Sequence, residues 1–138
     1  MLHENALALA NATDRSELPI DAVHATGSTT TYVNELGSTA VFTVGSGGLL
    51  SGTYTSAVSG GGGPVSGPIT GFIDGYAIAW SVSWPNTPAI TSWTGAFISS
   101  GTGYEIEALW YMATQASSSS TPFWNAVHAG ADTFTYQT

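Results

Sequence analysis

The chain has 138 residues, no cysteine, nine acidic side chains and one basic side chain, Arg15, for a net charge of −8 at pH 7. This length suits one domain with its own core, and the absence of cysteine excludes disulfides and thiolate metal sites. Proteins bind nucleic acids and anionic membrane surfaces through Lys and Arg side chains. Because the chain has only one such residue, we expect neither a nucleic acid nor a membrane as a partner.

Residues 1–28 differ in composition from the remainder of the chain. They contain five of the ten charged side chains and no aromatic residue. Only a short helical turn at Glu4–Ala12 is indicated, and the apolar segment Ala6–Ala10 is too short for the core of a signal peptide. We therefore predict a flexible N-terminal arm at 1–28 and a folded domain at 29–138.

From Thr29 onward the pattern is all-β, because apolar and polar residues alternate in runs rich in β-branched and aromatic residues. The eight runs are Thr30–Leu36, Ser38–Val44, Leu50–Val58, Ser66–Phe72, Tyr76–Trp84, Ile90–Ile98, Tyr104–Thr114 and Asp132–Gln137. Turn residues separate them, with Asp74-Gly75 as the strongest hairpin signal. Eight strands joined by short hairpins predict a closed, antiparallel, up-and-down β-barrel.

The alternation also predicts which side chains point into the barrel. In Tyr76–Trp84 the aromatic and aliphatic residues share one face, which should be the inner one. The same parity places Tyr32, Leu36 and Tyr136 inside, together with six polar intruders: Asn34, Ser38, Tyr54, Ser56, Thr91 and Asp132. A buried polar group without a partner costs about 1–3 kcal/mol. These groups must therefore bond to one another, meet water at the barrel mouth, or bind a ligand.

Tryptophans are concentrated in the second half of the chain. Trp84, Trp93 and Trp110 lie near strand ends and fit either a core or a pocket wall, whereas Trp80 fits the core better. Trp124 follows a Ser/Pro loop, where a surface or interface position is usual. Aromatic walls with a few convergent polar groups are typical of a preformed pocket for a small, mostly apolar ligand. Taken singly, Tyr54 and Ser56 fit rim hydrogen bonds, and Asp132 fits a turn cap.

Five segments carry a resemblance to a known family, and they are NELGST at 34–39, GTYTSAV at 52–58, WSVSW at 80–84, TSWTG at 91–95 and GADTFT at 130–135. In this order and spacing the chain resembles the avidin/streptavidin family of biotin-binding proteins, from Tyr32 to Thr135. The resemblance implies an avidin-like barrel that binds biotin at one end without catalysis.

The resemblance also implies a role for each intruder. Asn34, Ser38 and Tyr54 match the donors to the ureido oxygen of biotin, Ser56 and Asp132 match the acceptors from its N–H groups, and Thr91 matches the contact to its sulfur. Trp84, Trp93 and Trp110 match the pocket walls, and Trp124 matches a residue inserted by a neighbouring subunit. Leu36 and Val58 complete the expected binding site.

Partners and location follow from the same resemblance. It implies self-association, with a homotetramer favoured over a homodimer, and an extracellular protein that needs no cofactor. Leu109 and Met112 are candidates for apolar interface surface. His128 has no second histidine at a metal-ligand spacing, so we predict a surface or subunit-contact residue and no metal site.

The chain departs from the family pattern at three places. Tyr32-Val33 stands where the family usually has Trp-Tyr, and Ala89 stands where a serine is common. The loop Ser59–Gly63 has almost no side chains to bind the biotin carboxylate. Two hypotheses remain open for this loop: its backbone N–H groups form an anion-binding nest, or it is a mobile lid.

Two other functions were weighed against biotin binding. An enzyme is disfavoured because no Ser-His-Asp spacing, paired acid set or nucleophile–base pair occurs near the intruders. The remaining alternative is the same barrel binding a different cyclic urea, a sugar or a peptide, since a fold does not determine a ligand.

Overall fold

The computed structural model describes residues 1–11, 25–57, 63–101, 103–115 and 126–137. Its strands form a closed antiparallel barrel in chain order, each paired with the next and the last with the first. They are β1 (Thr29–Asn34), β2 (Thr39–Val44), β3 (Leu49–Ser56), β4 (Val65–Asp74), β5 (Ala77–Ser83), β6 (Ala89–Ser100), β7 (Gly103–Thr114) and β8 (Val127–Gln137). The predicted up-and-down barrel is therefore confirmed.

Helix α1 (His3–Asn11) precedes the barrel and lies one residue before the helical segment Glu4–Ala12 indicated by the sequence. The side chains of residues 1–10 are exposed. Residues 12–24 lie outside the described part, so the flexible arm at 1–28 stays a prediction.

Among the strand ends that differ from the expected ones, two affect predicted site residues. β1 stops at Asn34, two residues earlier than expected, because Gly37 takes a positive φ of 85° and turns the chain. Leu36 therefore lies in a turn and is 65% exposed, and the prediction that it points inward on a strand was wrong. β8 begins at Val127, five residues early, because pairing with β7 recruits weak strand formers. Asp132 consequently lies within a strand and does not cap a turn.

The inner face of the barrel is filled mainly by aromatic rings. Trp80 is 2% exposed and stacks on Trp93 with ring centroids 5.4 Å apart and planes 12° apart. Phe42 and Phe134 meet Trp80 edge-on, at 4.9 Å and 5.5 Å. These contacts confirm Trp80 as a core residue. Tyr136 is 37% exposed, but its ring lies 5.7 Å from that of the buried Tyr32, which agrees with its predicted inward position at the end of the barrel.

Glycines allow neighbouring strands to approach closely where a side chain would block pairing. Gly52 on β3 lies opposite Phe42 on β2 and has a φ of 137°, a conformation that L residues rarely adopt. A β-carbon at this position would collide with the carbonyl oxygen of Val41. Gly52 therefore maintains the β2–β3 pairing that carries Tyr54 two residues further along.

Gly52→Ala should lower the free energy of unfolding by at least about 2 kcal/mol, because it combines an unfavourable φ with a backbone collision. Gly103→Ala is the matched control, since a β-carbon there meets no atom within 4 Å. The control should change stability by about 0.5 kcal/mol or less. Urea unfolding of both variants measures the difference, and equal midpoints would contradict this account of Gly52.

Candidate ligand-binding site

A cavity of about 270 Å³ opens at one end of the barrel, where the β1–β2 and β5–β6 turns lie. The cavity is near the lower limit of the ~300–1,000 Å³ usual for small-ligand pockets, so it suits a small ligand. Its lining residues are Asn34, Leu36, Ser38, Tyr54, Ser56, Trp84, Thr91, Trp93, Trp110, Met112 and Asp132. The structure thus brings together every predicted residue that it describes. Val58 and Trp124 lie outside the described residues.

The β1–β2 turn presents the amide nitrogen of Asn34 to the cavity side. Oδ1 of Asn34 accepts hydrogen bonds from the backbone N–H groups of Leu36 and Ser38, at 3.1 Å and 2.9 Å. This is the local bonding that makes asparagine common in turns. Because Oδ1 is occupied, the side-chain hydrogen bond between Asn34 and Asp132 must use Nδ2 as the donor. The second N–H of Nδ2 is left for another acceptor.

Ser38 and Tyr54 form the next part of the polar end. Both are nearly fully buried, at 4% and 3% exposed. The backbone N–H of Ala57 donates to Oγ of Ser38 at 3.0 Å, and the Ser38 side chain is also hydrogen-bonded to Tyr54. Burial, followed by the negative charge of Asp132, raises the pKa of Tyr54 well above its ordinary value. Tyr54 therefore keeps its proton and remains a hydrogen-bond donor.

Asp132 supplies the one carboxylate among the residues that line this cavity. Burial raises its pKa, and repulsion from Glu35 acts in the same direction. Hydrogen bonds from Trp93 and Asn34 oppose the shift, and Nε1 of Trp93 donates to Oδ2 at 2.9 Å. The hydrogen bonds from the protein therefore compensate only part of the solvation that the carboxylate loses by burial, and it remains a strong acceptor.

Trp84 and Thr91 meet across the β5–β6 turn. Nε1 of Trp84 donates to Oγ1 of Thr91 at 2.9 Å, and Thr91 is 4% exposed. The Trp84 ring also meets Tyr54 edge-on at 5.9 Å. This hydrogen bond fixes the indole as a wall of the cavity while Thr91 retains a hydroxyl proton to donate.

Trp110 is placed by a glycine on the neighbouring strand. The register pairs Trp110 with Gly130, and a β-carbon on Gly130 would lie 2.5 Å from Cζ2 of the indole. The ring therefore occupies the space that any other residue at 130 would fill. Asp132 follows two residues later on the same strand, so β8 positions both a wall and an acceptor.

Met112 is a cavity residue that the sequence analysis did not assign. It lies on the same face of β7 as Trp110, whereas Leu109 faces outward and is 55% exposed. The expectation that Met112 contributes to an interface stays a prediction. The sequence contained a signal for this position, because Met112 lies two residues after the predicted wall residue Trp110 and therefore shares its strand face.

A larger concavity of about 570 Å³ lies against β6, β7 and β8. Its lining includes the outward residues Ile98, Glu107 and Leu109. Asp132 borders both spaces, but none of the residues that line the larger one is aromatic. We therefore take the barrel-end cavity, with its indole walls and polar end, as the candidate ligand site.

Sequence and structure comparisons agree with this fold. The sequence profile of the avidin family matches residues 22–137. The chain belongs to the avidin family. A rhizavidin–biotin complex is 33% identical, with a TM-score of 0.69, covering 82% of this chain and 95% of that one. A biotin complex of short afifavidin is 33% identical, with a TM-score of 0.66, covering 79% and 88%.

Apo shwanavidin is 29% identical, with a TM-score of 0.68, covering 82% of this chain and all of that one. Among curated proteins, none matches the sequence. Avidin-family proteins bind biotin without catalysis and need no cofactor.

Within the described residues no three His, Cys, Asp or Glu side chains could hold a metal ion together, and His128 is exposed. No helix described here is long and apolar enough to cross a membrane.

Gly130→Ala should displace the Trp110 indole and open the cavity wall, because the added methyl group would overlap the ring. The tryptophan emission of the ligand-free protein should change. Gly103→Ala again serves as the control, and its emission should match that of the wild type. An unchanged spectrum for Gly130→Ala would contradict the assigned placement of Trp110.

The raised pKa of Asp132 makes a prediction for the ligand-free protein. The folded protein holds the proton of Asp132 more tightly than the unfolded chain, whose pKa is near 3.8. This proton therefore stabilises the fold fully at a pH below 3.8, and the stabilisation is lost as the pH rises through the pKa of the folded state. Asn has no such titration, so the melting temperature of wild type should fall relative to that of Asp132→Asn over this window. A difference that is constant with pH would refute the raised pKa.

Proposed function

We propose that this chain binds biotin, without catalysis, in the barrel-end cavity. The observation that carries the proposal is the convergence of three hydrogen-bond donors and one partly compensated carboxylate on the same end of a cavity walled by indole rings. Two similar structures are biotin complexes, which favours biotin over another cyclic urea, a sugar or a peptide.

The donors Asn34, Ser38 and Tyr54 suit the ureido oxygen of biotin. Oδ1 of Asn34 is already occupied, so this side chain can only donate. Oγ of Ser38 accepts from Ala57, and Ser38 and Tyr54 use one hydroxyl proton in their mutual hydrogen bond. A ligand oxygen would receive both hydroxyl protons by replacing that bond. Tyr54 keeps its proton because burial raises its pKa. Donors fixed in advance stabilise a polarised carbonyl oxygen without reorganisation, as an oxyanion hole does.

Asp132 and Ser56 suit the two ureido N–H groups. A carboxylate acceptor forms a charge-assisted bond, which is about twice as strong as a neutral one. Its charge also polarises the ureido group toward the oxygen that faces the donors, so the two sets of bonds reinforce each other. The partly compensated state of Asp132 in the ligand-free barrel supports this role.

The remaining lining residues suit the apolar parts of the ligand. Trp84, Trp93 and Trp110 would wall the ring system and valeryl chain, with Thr91 against the sulfur. Leu36 lines the cavity from an exposed turn, where a ligand would cover it. Val58, and Trp124 from a neighbouring subunit, remain part of the proposed site by resemblance.

The carboxylate end of biotin would meet fewer side chains. Ala89 is 6% exposed and supplies only a methyl group where the family often has a serine. The Ser59–Gly63 loop falls mostly outside the described residues, so the anion nest and the mobile lid both remain hypotheses for it.

Self-association is part of the proposal, with a homotetramer favoured over a homodimer. The outer faces of β6, β7 and β8 expose Ile98, Leu109, Tyr111 and Val127, which are 40–55% exposed. Association would cover this apolar surface. An extracellular location is proposed from the resemblance.

Native mass spectrometry with and without biotin should show one biotin per chain and four chains per assembly. A saturable change in tryptophan emission should accompany binding, since the cavity walls are indoles. Absence of any biotin-bound species would overturn the proposed function, and a dimer would overturn only the tetramer.

Asp132→Asn should weaken biotin binding by about 1.5–3 kcal/mol, because a neutral acceptor replaces a charged one. Asp74→Asn is the matched control, since Asp74 ends β4 at the opposite end of the barrel and its loss changes the net charge equally. Isothermal titration of both variants measures the effect. Equal affinities would show that Asp132 does not contact the ligand.

A further inference from the structure

Glu35 makes a contact that joins two strands beside the cavity. It lies in the turn that follows β1, and its Oε2 accepts a hydrogen bond from the backbone N–H of Thr133 on β8, at 3.1 Å. The β1–β8 ladder pairs Asn34 with Phe134 as its last rung. The next rung would pair Glu35 with Thr133, so a side-chain oxygen extends the ladder after the strand has ended.

This contact links the two halves of the polar end. Asn34 precedes Glu35, and Ser38 closes the same turn, so the turn carries two of the three donors. Thr133 follows Asp132, the acceptor. The bond from Glu35 to Thr133 therefore restrains the donors relative to the carboxylate across the seam where the barrel closes.

Glu35 also brings negative charge near Asp132. Burial is the main cause that raises the pKa of Asp132, and the charge of Glu35 adds to it. The described residues include no Lys or Arg to offset either carboxylate.

The other groups around Asp132 come from every strand packed against it. They are the neutral Tyr54 from β3, the Trp93 N–H from β6, Glu107 on the outer face of β7 opposite Thr133, and His128 on β8 itself. Among the charged groups, Glu35 makes the main electrostatic contribution to the raised pKa of Asp132.

We infer that Glu35 is a positioning residue of the biotin site that also sets its pH range. It fixes the donor turn against Asp132. As the pH falls, its charge makes binding begin to weaken at a higher pH than it would if Glu35 were neutral. The inference rests on the proposed function. It follows because an N–H group of the ligand bonds to the ionised Asp132, and a nearby negative charge disfavours that ionised form.

Two substitutions separate the hydrogen bond from the charge. Glu35→Gln keeps an acceptor for Thr133 and removes the charge, whereas Glu35→Ala removes both. Glu105→Gln is the matched control: Glu105 also accepts a hydrogen bond, from Ser100 at 3.0 Å, and it lies near the start of β7, away from the cavity residues Trp110 and Met112.

Biotin off-rates measured between pH 3 and 9 test both roles. For Glu35→Gln the pH at which the off-rate rises should move down by roughly 0.2–0.7 pH units, the effect of an exposed charge pair. At pH 8 its off-rate should match that of the wild type. Glu35→Ala should dissociate about three to ten times faster at pH 8, the effect of losing one hydrogen bond. Glu105→Gln should follow the wild type throughout.

A second readout does not need biotin. The Trp93 indole N–H bonds to Asp132, so its proton and nitrogen NMR shifts should titrate with that carboxyl in the ligand-free protein. Trp93→Phe assigns the signal. The midpoint should be lower in Glu35→Gln than in the wild type, and circular dichroism confirms that each variant is folded.

The possible results are distinct. Coincident Trp93 midpoints in wild type and Glu35→Gln would overturn the charge role, whether or not biotin binds. An off-rate for Glu35→Ala equal to that of wild type at pH 8 would overturn the positioning role. Failure of the wild type to bind biotin would remove the proposed function, while the NMR titration would still decide the effect of Glu35 on Asp132.

Discussion

A half-buried carboxylate at the mouth of an aromatic barrel is the feature on which the site depends. Removing a charge from water is costly unless hydrogen bonds replace the lost solvation. At Asp132 only part of that replacement comes from the protein, through Trp93 and Asn34. The donors, the turn that carries them and the ring that holds Asp132 are all arranged around this incompletely solvated group. A ligand with N–H groups completes its solvation, which is a physical reason for the barrel to bind one.

Barrel closure decides where these groups lie. β8 pairs with both β7 and β1, so its register fixes Asp132 opposite Ala108 and Phe134 opposite Asn34. Gly130, two residues before Asp132, leaves room for the Trp110 ring. β8 thus positions the acceptor Asp132, leaves room for the wall residue Trp110, and pairs with β1, the strand that leads into the donor turn. A shift in its register by one residue would turn Asp132 outward and expose Phe134.

Much of the fold followed from the sequence because strand parity is a strong local signal. The alternation in Tyr76–Trp84 placed Ile78, Trp80 and Val82 inside, where they are buried. Parity fails where a strand ends, since it assumes that the strand continues. Leu36 was assigned inward on a strand that ends before it, because the chain turns at Gly37.

The candidate site was predictable for a different reason. Polar residues with inward parity are uncommon in a core and so identify themselves, as Asn34 and Asp132 did. Met112 was not assigned to the cavity, because an apolar side chain on a strand fits an interface, a core or a pocket equally well. The contact between Glu35 and Thr133 was equally hidden, because the residues are 98 positions apart and only the closed barrel brings them together. Residues whose roles come from long-range closure give no local pattern to read.

The same barrel also shows how a stable core can tolerate polar groups that lack full satisfaction. Nε1 of Trp80 is buried without a hydrogen-bond partner, a deficit that usually costs about 1–3 kcal/mol. The ring nonetheless stacks on Trp93 and meets two phenylalanines edge-on, contacts that are worth about 0.5–1.5 kcal/mol each beyond burial. Those stacked rings hold Trp93, and Trp93 holds Asp132. The unsatisfied indole and the incompletely solvated carboxylate are therefore two ends of one aromatic stack, whose packing offsets the cost of keeping an acceptor ready for a ligand.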